Sequence, residues 1–158
     1  MKILTIFILA VMIFSPGIRA FAQGDQATVE KVLNYYHDGN YRQLYNMMAI
    51  ETLTLMPYEG MVEVLNIEKK ILGELTEYVL IEETTTEINS KPQKIFRYIA
   101  DFQRGQGFII LTFIEEGGQA KLMNFHIDSP AFLKPESKKI IDEFTKSQQY
   151  FPIEEDKR

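Results

Sequence analysis

A change of period at Gly73 constrains the fold of this chain more than any other feature. Before it, apolar residues recur every three or four positions, the repeat of an amphipathic helix; after it, they alternate or run together between short turns, the pattern of strands. Val29, Val32, Leu33 and Tyr36 form one such helical face, with Asp25 placed to cap the first turn and Asp38-Gly39-Asn40 to stop it. A second helix is expected from Tyr41 to Ala49, with Leu44, Met47 and Met48 apolar. A third should run from Glu59 to Leu72, burying Met61, Val64, Leu65, Ile71 and Leu72 and leaving Glu68, Lys69 and Lys70 outside.

Beyond Gly73 the composition turns to β-branched and aromatic residues. Thr76 to Ile88 reads as a long strand, closed by a turn at Asn89-Ser90-Lys91-Pro92. Lys94 to Gln103 alternates, with Phe96, Tyr98, Ala100 and Phe102 on one face. Phe108 to Glu115 is nearly all apolar, as a central strand covered on both faces would be, with Ile109, Leu111 and Phe113 pointing inward. Lys121 to Asp128 follows Gly117-Gly118, with Met123, Phe125 and Ile127 inside. Loops this short join antiparallel neighbours. The expected fold is α+β: three N-terminal helices in the concave face of a bent four-stranded antiparallel sheet, plus a C-terminal helix from Pro135 to Gln148. Its apolar residues are few (Ile140, Ile141, Phe144), so it should lie on the domain's edge or on a partner chain.

Lys2, the unbroken apolar run Ile3 to Phe14, and the exit Ala20-Phe21-Ala22 have the layout of a secretory signal peptide. The run is shorter than the ~20 residues that a bilayer-crossing helix needs. Residues 1–22 are therefore expected to be removed, leaving a periplasmic or secreted bacterial protein with a main domain at 23–130 and a helical extension at 131–158. The whole chain carries a formal charge of −5, and the leader holds Lys2 and Arg19 without an acid, so the mature chain is more acidic still. Such a balance repels phosphate backbones and anionic lipid heads, which argues against nucleic-acid and membrane-surface partners. The sequence has no cysteine, which excludes disulfides, thiol catalysis and thiolate metal sites.

The opening helix ending in Asp38-Gly39-Asn40-Tyr41, the segment Tyr41-Arg42-Gln43-Leu44-Tyr45, the helix end Ile71-Leu72-Gly73-Glu74-Leu75, the long strand after it and the closing strand Met123-Asn124-Phe125-His126-Ile127 together resemble the nuclear-transport-factor-2-like superfamily, also called cystatin-like or SnoaL-like. More narrowly, they are similar to its exported bacterial branch, whose members mostly lack an assigned function. The resemblance spans about residues 25–128 and implies a cone with an interior cavity, often dimeric through the sheet.

Candidate chemistry is sparse. His37 sits where a cation complements a helix C-terminus. His126 shares a strand face with Asn124 and Asp128, a set able to offer a base or two metal ligands, or simply a solvated surface. Glu82-Glu83 and Glu154-Glu155-Asp156 read as solvated charge. No acid or base falls on the expected interior strand faces, so no catalytic residue, metal ligand or cofactor is assigned. Met re-packs around varied ligands and Tyr adds a polar handle to an apolar wall. Tyr36, Tyr45, Met48, Met61, Tyr98, Phe113 and Phe125 are accordingly the candidate ligand-lining residues, with ordinary core packing as the plainer reading.

On the outer sheet face, Ile95, Ile99, Phe108, Ile110, Ile114 and Leu122 would form an apolar patch too large for a monomer to leave bare. Either the C-terminal segment (Ile140, Ile141, Phe144, Tyr150, Phe151) or a second subunit should cover it. The sequence thus points to a non-enzymatic exported domain that binds a small apolar or amphipathic molecule or a partner protein and forms a homodimer. A structural module with a filled interior, and a lyase or isomerase with Glu82, Glu83, Asp101 or His126 turned inward, are the alternatives.

Overall fold

The structure, a computed structural model, describes residues 25–148. The expected leader at 1–22 and the tail carrying Tyr150, Phe151 and Glu154-Glu155-Asp156 lie outside the described residues. Among the described residues four helices precede the sheet: α1 (Asp25–His37), α2 (Tyr41–Asn46), α3 (Ile50–Leu55) and α4 (Tyr58–Leu72). Strands β1 (Leu75–Ile88), β2 (Lys91–Phe102), β3 (Gly105–Glu116) and β4 (Gln119–Asp128) follow, then a 3₁₀ turn (Pro130–Leu133) and α5 (Pro135–Gln148). The strands pair in chain order, each antiparallel to the next, as a curved open sheet. The α+β layout and the C-terminal helix agree with the sequence pattern.

The helical half differs in one respect. The second helix stops at Asn46 because the chain spends Met47–Ala49 on the sheet: Leu122 N–H donates to the Met47 carbonyl and Ala49 N–H donates to the Leu122 carbonyl, both at 2.9 Å. Two backbone hydrogen bonds to β4 satisfy groups that a continuing helix would have satisfied internally. The chain then re-enters a helix as α3, which crosses the end of the sheet. There Ile50 N–H reaches the Glu116 carboxylate at 3.2 Å, and Thr52 Oγ1 donates to the Met123 carbonyl at 2.6 Å.

The turns are tight. Asn89 and Ser90 both have positive φ (52° and 60°), as do Gly117 and Gly118 (60° and 75°), the backbone twist that suits two-residue hairpins. The first turn is therefore confined to Asn89-Ser90, and Lys91-Pro92 already belong to β2. Pro92 pairs with Glu87 of β1 but precedes the first β3 pairing at Gln93, so its missing N–H breaks no ladder on that side. Gly73, with φ 79° and ψ −164°, ends α4 in a conformation reserved for glycine. A Cβ there would also lie 2.7 Å from the Gln103 Cβ.

Bulges set the register. Ile81 is the extra residue between Leu80 and Glu82 on β1, and Met123 the extra residue on β4, where Thr112 faces Asn124 but Phe113 faces Leu122. A single inserted residue moves every side chain beyond it to the opposite face. Leu122 is consequently inside and fully buried, while Met123 is half-buried, the reverse of strict alternation. The remaining interior residues stand as expected: Phe96, Tyr98, Ala100, Phe102, Ile109, Leu111, Phe113 and Ile127 are buried against Val29, Val32, Leu33 and Tyr36 of α1 and Met61, Leu65 and Leu72 of α4.

Candidate functional site

α4 carries two apolar stripes. One, through Met61, Leu65 and Leu72, belongs to the main core. The other is Val64, Ile67, Glu68 and Ile71, at i, i+3, i+4 and i+7, and α5 and the 3₁₀ turn pack over it. Between them lies a cavity of about 240 Å³ lined by Val64, Ile67, Glu68, Ile71, Phe132, Ile141 and Phe144. Among the described residues, Glu68 is its sole titratable lining residue.

Glu68 was expected to face water, but one of its carboxylate oxygens, Oε2, is buried without a hydrogen-bond partner. Burial raises the carboxyl from its ordinary 4.5 to about 7, because the charged form loses its hydration. The Tyr36 and Tyr41 hydroxyls are likewise buried and unpartnered, though neither lines the cavity. Burial raises both phenols, and the negative charge of Glu68 adds to the rise at each. Nearby, Lys69 pairs with Glu74 at 2.8 Å, and that bond holds the ammonium above its usual range.

The missed signal was legible on the helix itself. Val64, Ile67 and Ile71 mark a stripe apart from the one that buries Leu65, and Glu68 occupies its fourth position. A stripe so placed needs a cover, and the apolar residues of α5 provide it. The C-terminal helix therefore lies against α4, and among the described residues it leaves the outer sheet face uncovered. On that face Ile99 and Phe108 are paired neighbours and remain exposed at 42% and 41%. Two of the six residues expected in that patch have left it. Leu122 has turned inward, and Ile114 is buried beside Glu51 and Met123 at the end that α3 crosses.

The seven residues expected to line a ligand site are placed elsewhere than this cavity. Tyr36, Met48, Met61, Tyr98 and Phe113 are buried in the main core, and Tyr45 and Phe125 are half-buried against it. Tyr36 packs on Phe125 with ring centres 4.9 Å apart, and Phe113 meets Phe96 edge-on at 5.9 Å. Tyr98 stacks edge-on against Tyr78 at 5.7 Å, and burial pushes its phenol up to about 12. Tyr45 donates to the Met56 carbonyl at 3.3 Å and meets Tyr58 edge-on at 5.4 Å.

The other candidates fall on the surface. His37 Nδ1 donates to the Leu75 carbonyl at 3.0 Å, fastening the end of α1 to the start of β1. His126 is exposed, and among the described residues no group of three or more acidic or imidazole side chains is placed to hold a metal. Glu82 and Glu83 are exposed and paired across the strands with Arg97 (3.4 Å) and Lys94 (2.8 Å). Asp101 accepts from Gln106 at 2.6 Å.

Neither a family model nor a curated protein matches this chain.

Proposed function

We propose that this is an exported, non-enzymatic domain that binds a small apolar or amphipathic molecule and self-associates through its outer sheet face. The observation that carries the binding half is the cavity of about 240 Å³ between α4 and α5, whose lining among the described residues is apolar except at Glu68. Pockets for small molecules commonly combine an apolar lining with a few placed polar groups. The self-association half rests on Ile99 and Phe108, exposed side by side on the outer face. The resemblance to the nuclear-transport-factor-2-like superfamily is compatible with both, and the site proposed here lies outside the sheet's concavity.

A thermal-shift screen against bile acids, fatty acids, quinones, aromatic metabolites and alkylamines tests the reading. A ligand present at a hundredfold excess over its Kd adds about 2.7 kcal/mol to stability, which is worth several degrees in Tm. That shift should shrink in Phe144→Ala, which removes one wall of the cavity. A screen without a hit, or hits indifferent to Phe144, would overturn the assignment.

One observation favours a second reading. A carboxyl buried in an apolar pocket and titrating near 7 has the properties of a general acid or base. An isomerase or lyase using Glu68 would exchange the α-hydrogens of a bound enolisable ketone with deuterated solvent, and Glu68→Gln would stop the exchange.

A further inference from the structure

We propose that the cavity between α4 and α5 selects amines: a protonated primary amine on a short apolar body, its ammonium paired with the Glu68 carboxylate. This rests on reading the cavity as a ligand site and adds the chemical class of the ligand.

Four observations converge on it. Among the described residues the lining is apolar apart from one side chain, which suits an apolar body with a single polar end. A cavity of about 150 Å³ holds benzene, so one of about 240 Å³ suits a slightly larger body such as a six-carbon chain. The polar end must complement the Glu68 carboxylate, which lines the cavity and makes no ion pair among the described residues. An ionised carboxylate only accepts hydrogen bonds, whereas an ammonium brings three donors and a compensating charge. Finally, the chain is acidic, with a formal charge of −5, which draws cations toward the pocket and repels fatty acids and other anions.

The surroundings of Glu68 make pairing with a cation consequential. Phe132, Ile141 and Phe144, contributed by the 3₁₀ turn and α5, carry no charge. From α1 and α2 the facing titratable groups are the Tyr36 and Tyr41 phenols, both neutral at physiological pH. Lys69, the next residue along α4, is engaged with Glu74. No cation on these elements neutralises Glu68, so its proton does so until a ligand cation replaces it. Amine binding below pH 7 should therefore expel a proton from Glu68.

The test is calorimetric titration of the protein, purified in its natural processed form, with hexylamine, hexanol and hexanoate at pH 6 and pH 8. Hexylamine should bind at least tenfold more tightly than hexanol at pH 8, with hexanoate weakest. At pH 6, repeating the titration in buffers of different ionisation enthalpy should reveal release of close to one proton for hexylamine and none for hexanol. In Glu68→Gln the amine's advantage and the proton release should both disappear while hexanol binding persists. Equal binding of amine and alcohol, an amine preference that survives Glu68→Gln, or amine binding without proton release overturns the inference while leaving the cavity a ligand site. Failure of all three probes to bind overturns the inference and the underlying reading together. The proton count is measured on the unaltered protein, so the test stands even if the variant does not fold.

Discussion

Replacing Glu68 with leucine should stabilise the protein, and do so in a way that depends on pH. Below about pH 4.5 the carboxyl is protonated in both the folded and the unfolded chain, so its titration contributes no pH dependence. As pH rises, the unfolded chain releases this proton first, while the folded chain holds it until about pH 7. The unfolded state is favoured throughout that window, and stability declines across it before levelling off. The gap between 4.5 and about 7, at about 1.36 kcal/mol per pH unit, sets an upper bound near 3 kcal/mol. Water reaches part of this side chain, which is only half-buried as a residue, so a loss of about 2 kcal/mol is the working figure. Leucine has neither the charge nor the unpartnered oxygen and joins an apolar lining. Urea unfolding followed by circular dichroism at pH 4.5, 6 and 8 measures the difference, since the other acids titrate alike in both proteins. The variant should exceed the native protein by about 2 kcal/mol more at pH 8 than at pH 4.5, and Glu68→Gln should show the same pH-dependent part. Parallel stability curves for native protein and variant across that range would refute the argument, and would mean that the carboxylate has found a donor, most simply a Tyr36 or Tyr41 hydroxyl.

Gly73→Ala should cost about 2–3 kcal/mol in thermal or urea unfolding, because the backbone conformation excludes a Cβ and Gln103 occupies its place. Leu122→Ala should cost about 2–5 kcal/mol, as befits a fully buried leucine; a change near zero would return this residue to the outer face and remove the β4 bulge. The double variant Ile99→Asp and Phe108→Asp should convert a dimer to a monomer by light scattering while leaving the monomer's circular dichroism unchanged. A native protein that is monomeric at all concentrations would refute the proposed role of that face.

Much of the architecture was legible in the order of residues because it is local. The switch from three-to-four spacing to alternation at Gly73 separates helices from strands, and the pairs Asn89-Ser90 and Gly117-Gly118 tolerate the positive φ of hairpin turns. Those features fix an α+β meander and the identity of most inward residues on β2 and β3. What escaped depends on partners distant in sequence. Whether Met47–Ala49 is helical depends on hydrogen bonds to Leu122, more than seventy positions away along the chain. Which of Leu122 and Met123 points inward depends on one bulge, and alternation carries no mark of an inserted residue.

The candidate site shows the same division most clearly. The sequence by itself determined that Glu68 shares a helix face with Val64, Ile67 and Ile71, since helical geometry places them there. Only the tertiary structure decided that this face is covered. A carboxyl on a bare helix keeps its hydration and its ordinary acidity, whereas under Ile141 and Phe144 one oxygen of the same carboxyl loses water that no described residue replaces. The chemical character of residue 68 was thus set by a helix that begins at Pro135, and long-range packing of that kind leaves no signature in the local run of side chains.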